Sequence, residues 1–301
     1  MSWRTVVVSK SAKLETKLNY LHVRDATGTI KVHLSEIAML IVESTAVSLT
    51  ASLICELCRR KIKIIFCDEK RNPQAELVAY NDGFDTSLKL KKQIAWTEQT
   101  KEAVWTEIVR EKIRQQAILL TKLEKFEAEI LFDYIEELKP GDPTNREGHA
   151  AKVYFNALFG KSFSRQRESP VNAALNYGYS IILSAFNREI SALGYTTKLG
   201  LFHDNRFNFF NLSSDLMEPF RPLVDRAVVS TVFDDFGHDE KMILVNVLNE
   251  EVMFAGKRQT VGNTIRLFCK GVTDALCEND LTKIRFYEYG YLQIYANSCI
   301  F

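Results

Sequence analysis

A single histidine ahead of a helix that carries carboxylates is an arrangement able to hold a divalent metal ion. Residues 203–225 read HDNRFNFFNLSSDLMEPFRPLVD, with Asp215, Glu218, Arg221 and Asp225 on the polar side of a helical register. Leu216, Met217, Phe220, Leu223, Val224, Ala227 and Val228 recur at i, i+3, i+4, i+7 on the other side, so a buried apolar stripe would fix the acidic face. Hard oxygen ligands with one imidazole, and no thiolate nearby, suit Mg²⁺ or Mn²⁺ better than structural zinc. Such an ion beside Arg146 and Arg221 would meet phosphate. A reading without chemistry stands next to this one. Two carboxylates in a first turn are also what the helix dipole favours, and a lone histidine is commonly a hydrogen-bonded surface or core residue. Pro219 and Pro222 place the helix start close to Asp215, with Ser213 or Ser214 as cap and a kink near Pro222. Spacing alone leaves both readings open.

Glu147 lies in TNREGH, where Thr144 and Glu147 match the capping-box pattern, so a helix-start carboxylate explains it without function. Gly148 and the pair Ala150-Ala151 would permit another backbone to approach. Gly160-Lys161-Ser162 resembles the end of a phosphate-binding loop, but Phe155 stands where that pattern needs glycine. G-x-G-x-x-G, H-E-x-x-H and G-x-S-x-G do not occur, which leaves nucleotide cofactors, zinc proteolysis and serine hydrolysis without local support.

The elements that would position these residues fall into two groups. From Trp3 to about Tyr80 the chain reads as strands: Thr5–Val8, an alternating run Lys17–Arg24, a turn at Asp25–Gly28, Thr29–Val32, Ile37–Val42 and Ile62–Asp68, with one helix within Ser48–Lys61. The composition shifts at Asn81-Asp82-Gly83. Beyond it the spacing predicts a long amphipathic helix over 88–126, a continuation over 127–138 and a restart at Asp142-Pro143, with Asp142 as N-cap. Further helices are predicted over 170–193, 215–228, 239–255 and 260–278. Strands first and helices after argue for an α+β fold: a small N-terminal β domain over 1–80, a linker over 81–87, and a larger all-α catalytic domain over 88–301.

Size and composition permit an enzyme. The 301 residues are 46% hydrophobic and 26% charged, and no apolar run approaches the ~18 residues that span a bilayer. The start MSWRTVVVSK lacks the apolar segment of a signal peptide, which points to the cytoplasm. The six cysteines are scattered, and Cys55-x-x-Cys58 lacks the second pair that a zinc site needs. A net charge of +1 decides nothing about nucleic acid, since binding depends on patches. Two patches exist in the sequence, at 59–63 and in the acid-free segment 255–271 with Lys257, Arg258, Arg266 and Lys270.

NREGHAAKVYF at 145–155, the stretch 174–183, the lone His203 and DLMEPFRPLVD at 215–225 together resemble the CRISPR spacer integrase, the endonuclease subunit of CRISPR adaptation. The chain looks most like the type II-A version. The resemblance covers nearly the whole chain. It implies that Glu147, His203 and Glu218 are the catalytic residues and bind a catalytic Mg²⁺ or Mn²⁺. Many members have Asp where Glu218 stands. It also implies that Asp215 is an adjacent acid and that Arg221 contacts phosphate or DNA; Arg146, beside Glu147, and Lys257, Arg258 and Arg266 of the basic patch are the further candidate DNA contacts. The implied reaction joins the 3′-hydroxyl ends of a short DNA duplex to the leader-proximal repeat of the CRISPR array by transesterification. The implied partners are double-stranded DNA with 3′ ends, CRISPR repeat DNA, a second copy paired through the β domain, and a small ferredoxin-like adaptation partner that completes a heterohexamer. The competing class is a non-catalytic DNA-binding scaffold, in which the acidic face is only solvated. The aromatic segment from Phe286 to Tyr295 could stack single-stranded overhangs or pack the chain's end onto the helical core.

Overall fold

The structure, a computed structural model, describes residues 4–69, 71–77, 79, 85–231 and 236–289. The first part is built from β1 (Arg4–Val8), β2 (Ala12–Lys17), β3 (Tyr20–Asp25), β4 (Gly28–His33), β5 (Ile37–Val42), β6 (Val47–Leu49), α1 (Ala51–Arg59), β7 (Lys63–Cys67) and β8 (Pro73–Leu77). These strands form two four-stranded sheets, ordered β1-β5-β7-β8 and β4-β3-β2-β6. β5 reads IAMLIV, and a strand apolar at every position has two faces to bury. Leu40 and Val42 face a core with Leu14, Leu21, Leu53 and Leu57, whereas Met39 and Ile41 join the core of the helical part. The period-2 alternation of one strand therefore ties the two halves together.

The run Lys17–Arg24 is not one strand. Leu18 and Asn19 have φ of 51° and 65°, and this two-residue turn reverses β2 into β3. The turn expected at Asp25–Gly28 is present, with the Asp25 carboxylate accepting from the N–H groups of Thr27 and Gly28. Residues 81–84, which include the predicted boundary and part of the predicted linker, lie outside the described residues.

The second part contains α2 (Thr86–Ile94), α3 (Glu98–Lys122), α4 (Glu127–Glu136), α5 (Arg146–Phe159), α6 (Pro170–Ala192), α7 (Asn211–Met217), a 3₁₀ turn (Glu218–Phe220), α8 (Arg221–Val229), α9 (His238–Asn246), β9 (Glu251–Phe254), β10 (Lys257–Thr260), α10 (Val261–Glu278) and β11 (Tyr287–Glu288). The β-then-α order is that of an α+β fold. The single helix predicted over 88–126 is interrupted, because Thr97 caps α3 by accepting from Thr100 N–H. The helix predicted over 239–255 gives way to β9, and β10-β9-β11 form an antiparallel sheet inside the helical part. Ala255 and Gly256, both at positive φ, make the hairpin that helical spacing had hidden.

α6 crosses the middle of this part, buried along most of its length. At Gly178 a Cβ would lie 2.4 Å from Val224 Cγ1, so only glycine lets α8 pack this closely. Tyr287 is fully buried, donates to the Pro219 carbonyl at 3.0 Å, and packs against Phe220 with Tyr289 edge-on. The aromatic segment is thus core packing as far as Tyr289. Its remainder lies outside the described residues.

Candidate active site

The apolar stripe on 216–228 is buried throughout, as its spacing predicts. The polar side is not a solvated face. Asp215, Glu218 and Asp225 are all buried, and Arg221 is half-buried. Nor is the segment one helix with a kink. α7 starts before Asp215, the chain tightens into a 3₁₀ turn at Glu218–Phe220, and α8 starts anew at Arg221. Each proline thereby occupies the first turn of its own short element, where its missing N–H costs nothing. The break directs Glu218 inward from the junction.

Asp215 shapes the loop that carries His203. Its Oδ2 accepts from the N–H groups of Leu201 (2.6 Å) and Phe202 (3.2 Å), and its Oδ1 accepts from His203 N–H (3.1 Å) and meets His203 Nδ1 (2.5 Å). Gly200 is required here, since a Cβ would sit 2.3 Å from the His203 carbonyl oxygen and 2.7 Å from Asp215 Oδ2. With Nδ1 engaged, Nε2 is the imidazole nitrogen left for a ligand or proton. The ring stands edge-on to Trp105 of α3, whose other contact is a parallel stack with Phe202 at 4.7 Å.

Glu147 enters from the first turn of α5. The predicted capping box is not formed. Asn145, at φ 53°, caps the helix, while the Asp142 carboxylate accepts from the N–H groups of Arg146 (2.7 Å) and Glu147 (2.9 Å). Between Glu147 and Glu218 lies a residue that the sequence reading missed. Lys112 of α3 places Nζ 2.5 Å from Glu147 Oε1 and 2.5 Å from Glu218 Oε2. Arg221 donates to Glu218 Oε1 at 2.8 Å and lies over the Tyr179 ring. The signal for Lys112 was its place among the buried positions of α3, where an unpaired charge is rarely tolerated.

The charges settle one another. Burial pushes the Glu218 carboxyl up, but Arg221 and Lys112 outweigh it and hold the group at about 2. Burial lowers the Lys112 ammonium less than Glu218 and Glu147 raise it. The hydrogen bond that His203 Nδ1 makes to the Asp215 carboxylate raises His203; burial opposes it, and the charges of Asp215, Glu218 and Glu147 add to the rise. His203 therefore lies within the field of both glutamates. Asp225 shows the reverse balance: burial raises its carboxyl to about 6 against hydrogen bonds from Tyr179 and Tyr154.

Whether a divalent ion fits can be judged from the donors. Two carboxylates and one imidazole are a hard donor set, and a cation already bridges the carboxylates in the form of the Lys112 ammonium. Glu147 Oε1 and Glu218 Oε2 each lie 2.5 Å from that ammonium, so the two carboxylates already point at one cation position. Among the described residues, no three His, Cys, Asp or Glu side chains converge tightly enough to form a ligand cluster. The set fits an ion, then, when Lys112 yields the space between Glu147 and Glu218.

The basic residues divide. Arg221 belongs to the site. Arg146 neighbours Glu147 in sequence, but pairs with Glu137 at 2.6 Å and covers the Tyr134 ring. Lys257 and Arg258 project from β10, and Arg266 donates to Asn263 on α10. Arg258 and Arg266 border a separate cleft of about 580 Å³ between the helical part and β1–β5, lined also by Arg188, Glu189 and Glu251 and by none of the three candidate ligands. In the run at 59–63, Arg59 and Arg60 pair with Glu56 on α1, and Lys63 pairs with Glu76 on β8. No helix among the described residues is long and apolar enough to cross a membrane.

A protein-family model described as "CRISPR associated protein Cas1" matches residues 5–242. The chain is 36% identical over 231 residues to a CRISPR-associated endonuclease Cas1 from Neisseria meningitidis, covering 76% of each. Its fold resembles a casposase bound to integration product, with a TM-score of 0.77 at 18% identity over 99% of this chain and 96% of that one. It also resembles a chain of a Cas6-RT-Cas1–Cas2 complex, with a TM-score of 0.71 at 17% identity; this chain is covered to 93% but spans only 36% of that longer one.

Proposed function

Because this chain belongs to the Cas1 family, we propose that it is a divalent-metal-dependent DNA integrase and endonuclease of CRISPR adaptation. Its proposed reaction joins the 3′-hydroxyl ends of short DNA duplexes to the leader-proximal repeat by transesterification. The observation that carries the reading is the convergence of Glu147 and Glu218 on one cation, within the field of a histidine whose Nδ1 is fixed by a buried aspartate. Glu147, Glu218 and Nε2 of His203 would hold the ion. When bound, Mg²⁺ or Mn²⁺ supplies Lewis-acid polarisation of the phosphodiester and favours the alkoxide form of the attacking hydroxyl.

The chain's own groups set the stage. Asp215 fixes the imidazole orientation and tautomer, as an outer carboxylate does for a ligating histidine. Lys112 and Arg221 keep Glu218 ionised in its buried position, so the carboxylate is ready as a ligand at every physiological pH. Arg221 adds a positive charge for the phosphate, held in place by Glu218 and the Tyr179 face.

The assembly proposed for this chain is a homodimer formed through the β domain, two dimers flanking a dimer of a small ferredoxin-like partner, in the cytoplasm. The likeness to a Cas1–Cas2 assembly supports a partner of that kind. Exposed Leu18 and Ile30, at the β2–β3 turn and on the sheet-edge strand β4, offer apolar surface for pairing. The test is strand transfer of a 3′-hydroxyl duplex into a repeat-bearing plasmid, with the small partner and Mn²⁺ or Mg²⁺ supplied. His203→Ala and Glu218→Ala should abolish the product. Integration at the wild-type rate by either variant contradicts the site assignment.

A further inference from the structure

Lys112 stands where the ion would go, and the charges around it set the terms on which it can leave. Its ammonium lies 2.5 Å from Glu147 Oε1 and 2.5 Å from Glu218 Oε2, and its side chain is only 9% exposed. A buried ammonium displaced from two carboxylates must meet another anion, because an unpaired interior charge is costly. The charges of the centre show which anion is missing. Glu147, Glu218 and Asp215 face Lys112, Arg221 and, when it serves as a ligand, a neutral His203. Three negative charges against two positive ones leave a single negative charge in excess. A divalent ion would turn this into a single positive excess, in a place where little water can screen it. One phosphodiester cancels that excess. Without Lys112, the ion alone would balance the centre.

The way out lies beside Glu147 and His203, whose side chains are 20% and 40% exposed, whereas that of Glu218 is 5% exposed. A displaced ammonium and an arriving phosphate would share this mouth. We propose that Lys112 makes metal loading depend on DNA: its ammonium closes the Glu147–Glu218 position to a divalent ion until a phosphodiester at the mouth receives the ammonium and balances the charge. This rests on the DNA reading of the site and adds a residue to it. Lys112 acts here as an exchangeable counter-charge. The ion and the DNA then favour each other's binding, and by linkage the factor is the same from either side.

The test measures Mn²⁺ affinity by electron paramagnetic resonance, with and without a saturating short duplex whose 3′ ends are dideoxy and cannot be joined. The proteins are the wild type, Lys112→Met and Lys112→Gln. The wild type should bind Mn²⁺ about 10-fold more tightly with the duplex than without it, and should bind the duplex about 10-fold more tightly in Mn²⁺ than in EDTA. Both variants should bind Mn²⁺ more tightly than the wild type when DNA is absent, and the duplex should improve their affinity by less than about 3-fold. In EDTA they should melt below the wild type by circular dichroism, since two carboxylates have lost their shared cation, and Mn²⁺ should raise their midpoints more than that of the wild type. A wild type whose Mn²⁺ affinity ignores the duplex overturns the proposal. So do variants that bind Mn²⁺ no more tightly than the wild type without DNA, or that keep the full coupling. Where a variant does not fold in EDTA, the wild type decides: matching gains on the metal and DNA sides support the coupling, and their absence overturns it. Strand transfer by the wild type is measured separately. Coupling in a wild type unable to transfer strands would sink the integrase reading alone, and transfer without coupling would sink this proposal alone.

Discussion

Two buried carboxylates lie one after the other on the 215–225 segment and are treated in opposite ways. Glu218 faces two cations and is held at about 2, whereas Asp225 faces two tyrosine hydroxyls and is pushed to about 6. Both are desolvated to a similar degree; what differs is the charge of the neighbours. Neutral donors satisfy the lone pairs of a carboxylate but do not offset the loss of water around its charge, and cations do both. The difference separates an anion kept ready for a ligand from one that ties α5, α6 and α8 together through Tyr154 and Tyr179.

Breaking the first centre should have the largest effect. Glu218→Gln removes a ligand while preserving shape. Its strand-transfer rate should fall beyond the roughly 10–100-fold that outer-shell substitutions at metal sites cost, measured beside a circular-dichroism melt that shows the variant folded. The second centre responds to pH instead. The folded value of Asp225 lies above its ordinary 3.8, so its contribution to stability is full below about 3.8 and is lost as pH rises to about 6. Asp225→Asn should remove that dependence, worth about 3 kcal/mol at roughly 1.4 kcal/mol per pKa unit, visible as a flatter profile of denaturation midpoints across pH 4–7. Glu218 has the opposite sign, since its contribution is present above about 4.5 and lost as pH falls towards 2.

A smaller effect should sharpen the role of Asp215. Because its hydrogen bond raises His203, and a ligating imidazole must be neutral, activity should climb with pH through a midpoint above the ordinary value near 6.5. Asp215→Asn should move that midpoint down, read from a pH–rate profile. Arg146→Ala should matter least. Its pairing with Glu137 is partly exposed, a contact worth at most about 1 kcal/mol, so strand transfer should change by no more than about 5-fold.

What the residues disclosed by themselves follows the same division. The apolar stripe of 216–228, the helix predicted over 170–193, and the strand–then–helix order all come from periodicity, which burial enforces and sequence records. Spacing left open whether the polar face binds an ion or is only solvated, because it gives the direction of Asp215 and Asp225 but not what stands opposite. Lys112, Trp105, Tyr154 and Tyr179 arrive from other helices, and nothing within 203–225 announces them. The start of α5 shows the limit at short range. Asp142 is the predicted cap, yet Asn145 caps the helix by accepting from Gly148 N–H, while Asp142 accepts from the N–H groups of Arg146 and Glu147 from a preceding turn, a choice made by backbone dihedrals. The β9–β10 hairpin was lost because Glu251–Phe254 also suits a helix, and only the positive φ of Ala255 and Gly256 decides against one.

The central claim is that cations select Glu218, and not Asp225, as a metal ligand. It is tested by titrating Mn²⁺ into wild type, Glu218→Gln and Asp225→Asn at pH 7.5 and counting bound ions by electron paramagnetic resonance. A site present in wild type, lost in Glu218→Gln and kept in Asp225→Asn is the expected result. Equal binding by wild type and Glu218→Gln, or loss of the site in Asp225→Asn alone, would contradict it.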